Sequence, residues 1–398
     1  MDAYAPAGHF EALLDAARRI ATDTAALHAD DVDRQARFPA ETVAALRRAG
    51  LLSAAVPVGL GGAGCSLTEL GQLCAVIAGA CGSSGMVLAM HTIQVGCLVR
   101  HGLGEPAIAA FVRDLCEHQW LLASITSEVG TFGNTRASLC ALAPEADGRL
   151  RLSKQATTGS YALQADALLV TCRAHADAAS GDQRLVLVRQ SQATLVQTGT
   201  WDTLGMRGTC SPPFQLDAVV TPTDVLPDPF VEIAAQTMVP WSHVLWAALW
   251  TGIATDAVAR AASSVRAQAR RAPGTAPPTA RALADVATEL QAMRHHWLGV
   301  AAEFDAMDRR QSPQARATLS GMGWSLRFNH LKVSTSDAAP RLVHQALQII
   351  GIPAYKNDSP LSLGRHYRDA LSAALMISND RIQHNSAALL MVLKEDQD

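Results

Sequence analysis

From Phe10 to about Gln119, apolar residues fall at helical spacing, as in Leu13, Leu14 and Ala17 and then Val43, Leu46 and Leu51. The stretch predicts a bundle of helices. Its one interruption, VPVGLGGAGCSLTEL, places glycines at 59, 61, 62 and 64, which make a loop, and offers Ser66 as the cap of the next helix. A phosphate-binding loop would need a preceding strand and a Gly-Lys-Ser/Thr ending, and neither is evident.

Between Leu121 and about Pro229 the pattern shortens. LRLSKQA, ALLVTCR, RLVLVRQ, ATLVQT and FQLDAVV are rich in β-branched residues and bounded by Gly, Asp, Ser or Pro, which predicts an antiparallel β domain. HADAASGDQ reads as a surface connection. After Pro229 the helical period returns, for example at Val286, Leu290, Met293 and Trp297. Helices, a small sheet and helices again form three segregated regions, an α+β plan without βα alternation. The expected boundaries are 1–119 for the N-terminal helical domain, 120–229 for the β domain and 230–398 for a C-terminal four-helix bundle.

Composition adds limits. A chain of 398 residues with 49% hydrophobic content can bury a large core. Its formal net charge of -3 gives no basic field for a nucleic-acid backbone, so no nucleic-acid partner is expected. The eight cysteines include no C-x-x-C pair, which favours reduced thiols and a cytoplasmic protein without a metal site. The opening MDAYAPAGHFEALLDAARR lacks the charged and apolar regions of a secretory signal. The apolar run from Val239 to Ala259 is broken by Ser242, His243 and Asp256, and reads as a buried helix rather than a membrane span, which needs roughly 20 residues.

Several motifs, in order and across all three regions, carry a resemblance. They are the Pro57 to Gly64 turn, ITSEVGTFGN (125–134), KQATTGSYALQAD (154–166), WDTLGMRGTCS (201–211), VRAQARRAPG ending a long helical stretch, QALQIIGIPAY from Gln345, and RHYRDALSAALMISNDRI (365–382). Together they resemble the acyl-CoA dehydrogenase superfamily. The resemblance implies an FAD-containing enzyme with a helical, β and helical domain order. It implies that Thr126, Ser127 and neighbouring amides face the flavin ring, where donors stabilise the anionic reduced form. Thr158 lies in the matching Lys-x-Trp-Ile-Thr strand, where Ala156 replaces the aromatic residue that covers one side of the flavin. Losing such a ring vacates apolar surface of roughly 150 to 250 Å², to be filled by another side chain, a bulky substrate, or oxygen and water.

The same resemblance assigns Arg270 to the FAD pyrophosphate of a neighbouring subunit, Gln348 and Gly351 to the Gln-x-x-Gly turn, and Asn379 and Arg381 to positions near the FAD of an adjoining subunit. It therefore implies a homodimer or homotetramer. Arg207, in the Gly-Met-Arg-Gly motif taken as a strand, reads from its residue type alone as a structural ion pair.

One position departs in a way that bears on the reaction. The family's glutamate base, counted from Arg368 and Asp369, falls on Ile377, and its alternative site falls on Ser242. Neither is acidic, and a general base contributes roughly 10² to 10⁴ in rate. Asp380 or His243 could serve instead, the latter because imidazole titrates near neutrality. Otherwise the chemistry differs. The resemblance thus implies an FAD-dependent oxidoreductase acting on an acyl thioester or aromatic substrate with molecular oxygen. The alternatives are a dehydrogenase of an acyl-CoA or carrier-protein substrate, with an electron-transfer partner and a relocated base, and a non-catalytic flavin-binding protein.

Overall fold

A computed structural model describes residues 9–310 and 312–393 of the chain. The start of the stretch read above for a leader lies outside them. Six helices come first: α1 (His9–Ile20), α2 (Ala26–Gln35), α3 (Ala40–Arg48), α4 (Leu67–Ala80), α5 (Gly82–His101) and α6 (Pro106–His118). Seven strands follow: β1 (Leu122–Ile125), β2 (Ala143–Pro144), β3 (Leu150–Ala156), β4 (Ala167–Arg173), β5 (Gln183–Arg189), β6 (Ala193–Gln197) and β7 (Phe214–Val220). The remaining helices are α7 (Phe230–Ile233), α8 (Val239–Arg271), α9 (Ala280–Asp308), α10 (Pro313–Leu319), α11 (Met322–Ile350), α12 (Ile352–Tyr355), α13 (Gly364–Leu371) and α14 (Asn379–Leu390).

Two helical layers enclose the sheets at one side, and α8 is their common axis. Its 33 residues pack against α4 and α5 of the first region and against α9 and α11 of the last. That position explains the continuous burial of its first half, Pro240 to Ala254, because a helix with neighbours on every side has no solvent face. The other long apolar helix, α5, has the length and composition to cross a membrane, yet 89% of that window is buried inside the fold. It is a core helix.

The glycine loop ends where α4 begins, and that end is heavily satisfied. Ser66 Oγ accepts from the Glu69 amide, while the Glu69 carboxylate accepts from the Ser66 amide at 2.7 Å. Asp305 of α9 accepts from the Leu67 and Thr68 amides, both at 2.9 Å, and from the Thr68 hydroxyl. A carboxylate facing otherwise unpaired amides at a helix N-terminus locks the first region onto the last.

The β domain holds two sheets, with strand orders β1-β4-β5 and β2-β3-β7-β6. LRLSKQA, ALLVTCR and FQLDAVV become β3, β4 and β7 residue for residue. One pairing differs from the antiparallel expectation: β1 runs parallel to β4. After β1 the chain passes through the second sheet before returning, and such a crossover permits parallel pairing where a hairpin does not.

Three buried histidines tie the layers together as neutral rings. His91 donates from Nε2 to the Leu52 carbonyl at 2.7 Å and accepts at Nδ1 from the Leu122 amide at 2.9 Å, a pattern that protonation would break. Burial pushes its pKa down to about 4 and that of His366 to about 4, while His243 falls to about 3. Their unfolded values lie near 6.5, so the unfolded chain binds more protons as pH falls below that point. Stability is therefore fully present above about pH 6.5 and is lost as pH falls toward about 4, or about 3 for His243, by up to roughly 3 to 5 kcal/mol per ring. Thermal melts across that window should show a steep acid loss, and His91→Gln should flatten it.

Candidate functional site

The ends of β1 and β3 meet at the surface between the sheets. Ser127 Oγ donates to the Thr158 carbonyl at 3.0 Å and accepts from the Thr158 amide at 3.1 Å. The two hydroxyls are 3.1 Å apart. Thr126, one residue earlier, is held from beneath by Lys154, a fully buried cation. Its Nζ reaches the Thr171 carbonyl at 2.7 Å and the Thr126 carbonyl at 3.4 Å, and lies 3.8 Å from the Glu128 carboxylate. Burial holds the Lys154 amine below its ordinary range, against the pull of its neighbours, Glu128 among them. Glu128 in turn accepts from the Leu139 and Cys140 amides, so the whole 126–140 segment is pinned down by one buried carboxylate.

Ala156 is buried rather than facing an open notch. It pairs in register with Phe214 of β7, itself buried, so the chain's own side chains close the space that a missing aromatic ring would leave.

Arg381, in the first turn of α14, donates to the carbonyls of Phe132 and Gly133. That bridge brings the N-terminus of α14 against the 126–140 segment. Asn379 faces the other way: its side chain donates to Ser336 and to Asp337 of α11 and accepts from Lys332 at 2.6 Å. Asp380 lies between them and is exposed. Just before it, Ile377 stands at the mouth of this region with φ of 49°, a left-handed conformation that a β-branched side chain resists.

His243 sits on the apolar face of α8, buried, with its Nδ1 3.0 Å from the Phe328 carbonyl and its ring 6.3 Å from that of Trp246. Desolvation and the nearby Lys332 charge keep it neutral. This is a hydrogen-bonded core environment. The Ser242 hydroxyl is likewise committed, to the Met238 carbonyl at 2.5 Å.

The Gly-Met-Arg-Gly motif, expected as a strand, is a loop with a single tight turn between β6 and β7. Its role is junctional. The Met206 amide donates to Asp369 at 2.6 Å, and Gly205 lies so close to Arg368 that an added Cβ would meet its carbonyl at 2.1 Å. Arg207 bonds Asp202 and the Asp33 carbonyl, both at 2.9 Å, in agreement with a structural ion pair. Arg368 pairs with Asp33 of α2 and donates to the Leu204 carbonyl, and Arg365 pairs with Asp30. Two motifs more than 150 residues apart in sequence therefore meet at Asp369, whose burial pushes its carboxyl up to about 6.

Arg270, Gln348 and Gly351 lie elsewhere. His243 pairs with Phe328 and Trp250 with Lys332, so α8 and α11 run side by side in the same direction. At 1.5 Å per residue, Arg270 is roughly 40 Å along the axis from His243, and Gln348 is roughly 30 Å from Phe328. Within one chain these three do not join the Ser127–Thr158 patch. Arg270 and Gln348 are exposed.

A cleft of about 160 Å³ opens on a different face, between the glycine loop and the starts of α8 and α10, lined by Arg100, His101, Trp241 and Asp305. Pro57, Gly64 and Ser66 of the glycine loop line it, but none of the residues read from the sequence as catalytic or flavin-binding does. Sequence reading also missed Lys332, and it met Lys154 and Asp369 only as motif positions without a role. A lysine on the buried stripe of an amphipathic helix, as Lys332 is between Phe328, Leu331, Thr335 and Ala339, is the signal that could have exposed one of them.

The family profile for the acyl-CoA dehydrogenase N-terminal domain matches residues 9–106, and that for the C-terminal domain matches residues 233–388. Amino sugar nitrososynthase DnmZ of Streptomyces peucetius is 28% identical over 365 residues, covering 87% of this chain and 84% of that protein. Putative acyl-CoA dehydrogenase YdbM of Bacillus subtilis is 24% identical, covering 88% and 89%. Among solved structures, KijD3 in complex with FMN and a dTDP-amino sugar superposes with a TM-score of 0.82 at 24% identity, covering 100% of this chain and 97% of that one. TdsC of Paenibacillus sp. A11-2, with FMN and indole, gives 0.80 at 22%, covering 95% and 96%.

Asp369 gives a direct test of the junction. Asp369→Ala leaves the Met206 amide buried and unpaired and should cost about 2 to 4 kcal/mol, whereas Asp369→Asn keeps a carbonyl acceptor and should cost less. Urea midpoints of the two variants measure the difference.

Proposed function

The chain belongs to the acyl-CoA dehydrogenase family, and from that premise we propose that it is a flavin-dependent oxidoreductase of the oxygen-using kind. The observation that carries the reading is Ile377: an apolar side chain, in a strained backbone conformation, stands where the dehydrogenases of the resemblance place their carboxylate base. The identity to a nitrososynthase and the shared fold with a flavin-containing monooxygenase support it. Substrates that need no α-proton removed, such as an amine nitrogen or an electron-rich aromatic ring, fit the absence of a base.

The residues present fit a flavin. The exposed hydroxyls of Ser127 and Thr158 bond only each other and local backbone, and the Arg381 guanidinium lies beside the same segment, so the patch offers donors for ring carbonyls. When bound, the group supplies the hydride or electron transfer. Lys154 and Glu128 keep the donors in place, and the buried Trp250 ring backs the Lys332 amine that reaches the 373–379 turn.

We take the cofactor to be FAD, held between subunits of a homodimer or homotetramer, because Arg270 at the far end of α8 suits a diphosphate. Arg270→Ala should weaken FAD binding about tenfold or more while leaving FMN binding nearly unchanged, as read by flavin fluorescence titration. Eight cysteines, none paired, support a reducing compartment such as the cytoplasm.

A second reading, an α,β-dehydrogenase with Asp380 as its base, is favoured by one observation: Asp380 is exposed and three residues past Ile377. The two part under anaerobic conditions. On the main reading saturated acyl thioesters leave the oxidised flavin unbleached, and labelled oxygen enters product from an amine or aromatic panel in air. Bleaching by a thioester that disappears in Asp380→Asn would sink it in favour of the second.

A further inference from the structure

Lys332 is a buried cation with no carboxylate in hydrogen-bond reach among the described residues. Its Nζ donates to the carbonyls of Ala373 at 3.1 Å and Ile377 at 2.9 Å and to the Asn379 side-chain oxygen at 2.6 Å. All three ammonium protons are thereby used. It also lies 5.8 Å from the centre of the Trp250 ring, which favours the charged form.

These acceptors span the non-helical segment between α13 and α14. The segment has few bonds of its own: the Leu375 and Met376 amides share the Ser372 carbonyl at 3.1 Å, and the Asn379 amide reaches Ala374 at 3.2 Å. It nevertheless holds Ile377 at a positive φ, at a cost of about 1 to 3 kcal/mol that contacts outside the turn must offset. Lys332 is the group that reaches both ends of it.

We propose that Lys332 is the positioning residue of the reaction site: its ammonium clamps the 373–379 turn and so fixes where the side chain of residue 377 stands, and loss of its proton releases the turn. The inference rests on the functional reading above only in placing the reaction at residue 377.

The surroundings make the clamp titratable. Burial pushes the Lys332 amine down to about 8, with Asp337 pulling the other way. The titratable groups facing it are Asp337 on its own helix, which is bonded to Asn379, and the neutral His243 of α8. From the turn it meets only carbonyls and an amide. A neutral amine has two protons for three acceptors, and the charge-assisted bonds become ordinary ones, so the turn loosens as pH rises through about 8.

Hydrogen exchange of the 374–379 amides in the flavin-loaded full-length protein tests this, after correction for intrinsic exchange rates. In the wild type, protection should fall about tenfold between roughly pH 7 and pH 9. Lys332→Arg, which stays charged, should keep protection at both pH values, and Lys332→Met should lose it at both while the core helices remain protected. Asn379→Asp supplies a carboxylate and should shift the transition upward by about one pH unit. Retention of the wild-type transition in Lys332→Arg or Lys332→Met, or no upward shift in Asn379→Asp, overturns the proposal. The readout needs no substrate, so failure to detect oxygen-dependent turnover would count against the functional reading and not against the clamp.

Discussion

The α13 side of the candidate site depends on one buried hydrogen bond, from the Met206 amide to the Asp369 carboxyl. It joins the loop between β6 and β7 to α13, and α2 closes over it through Asp30 and Asp33. A carboxyl in that position is costly to bury, which is why its pKa is raised and why Arg365 and Arg368 crowd around it. The arrangement fixes the direction in which the chain leaves α13. Since the 373–379 turn follows at once, this junction of three regions sets where the turn that Lys332 reaches begins.

A second layer of control comes from buried lysines. Lys154 holds the Thr126 side of the site and Lys332 the Ile377 side, each by donating to main-chain carbonyls. Backbone acceptors at turn and strand ends need donors once buried, and an ammonium satisfies several from one point. Arg381 then spans the two sides by bonding the carbonyls of Phe132 and Gly133. The donors facing outward, Ser127 and Thr158, are thus set on a framework of inward-facing cations.

How much of this could be read in the sequence depended on whether the signal was local. Strand periods in LRLSKQA and FQLDAVV and the cap at Ser66 are short-range patterns, and they appear where the pattern puts them. The parallel β1–β4 pair was not legible, because orientation across a long crossover leaves no local trace. Nor was the filling behind Ala156, since its partner Phe214 lies 58 residues away, on a strand matched only through register. His243 could be read as either a titrating base or a core residue, and only the Phe328 carbonyl and the surrounding burial distinguish the two environments. Arg270, Gln348 and Gly351 were found by motif, but their distance from the other candidates follows from helix geometry and could not be seen in spacing alone.

On the proposed reading, isoleucine in place of a carboxylate at 377 alters charge as well as basicity. Lys332 lies directly beneath that residue, 2.9 Å from its carbonyl. A carboxylate there, at roughly 6 Å from the ammonium and an effective dielectric near 20, would interact with it by roughly 3 kcal/mol and cancel most of its field. Isoleucine cancels none of it. Asp337, bonded to Asn379, offsets part of that charge, and what remains favours chemistry that develops negative charge nearby while offering nothing that removes a proton. On the proposed reading, the apolar residue at 377 and the lysine beneath it therefore act in one electrostatic direction, the one that oxygen reduction would favour.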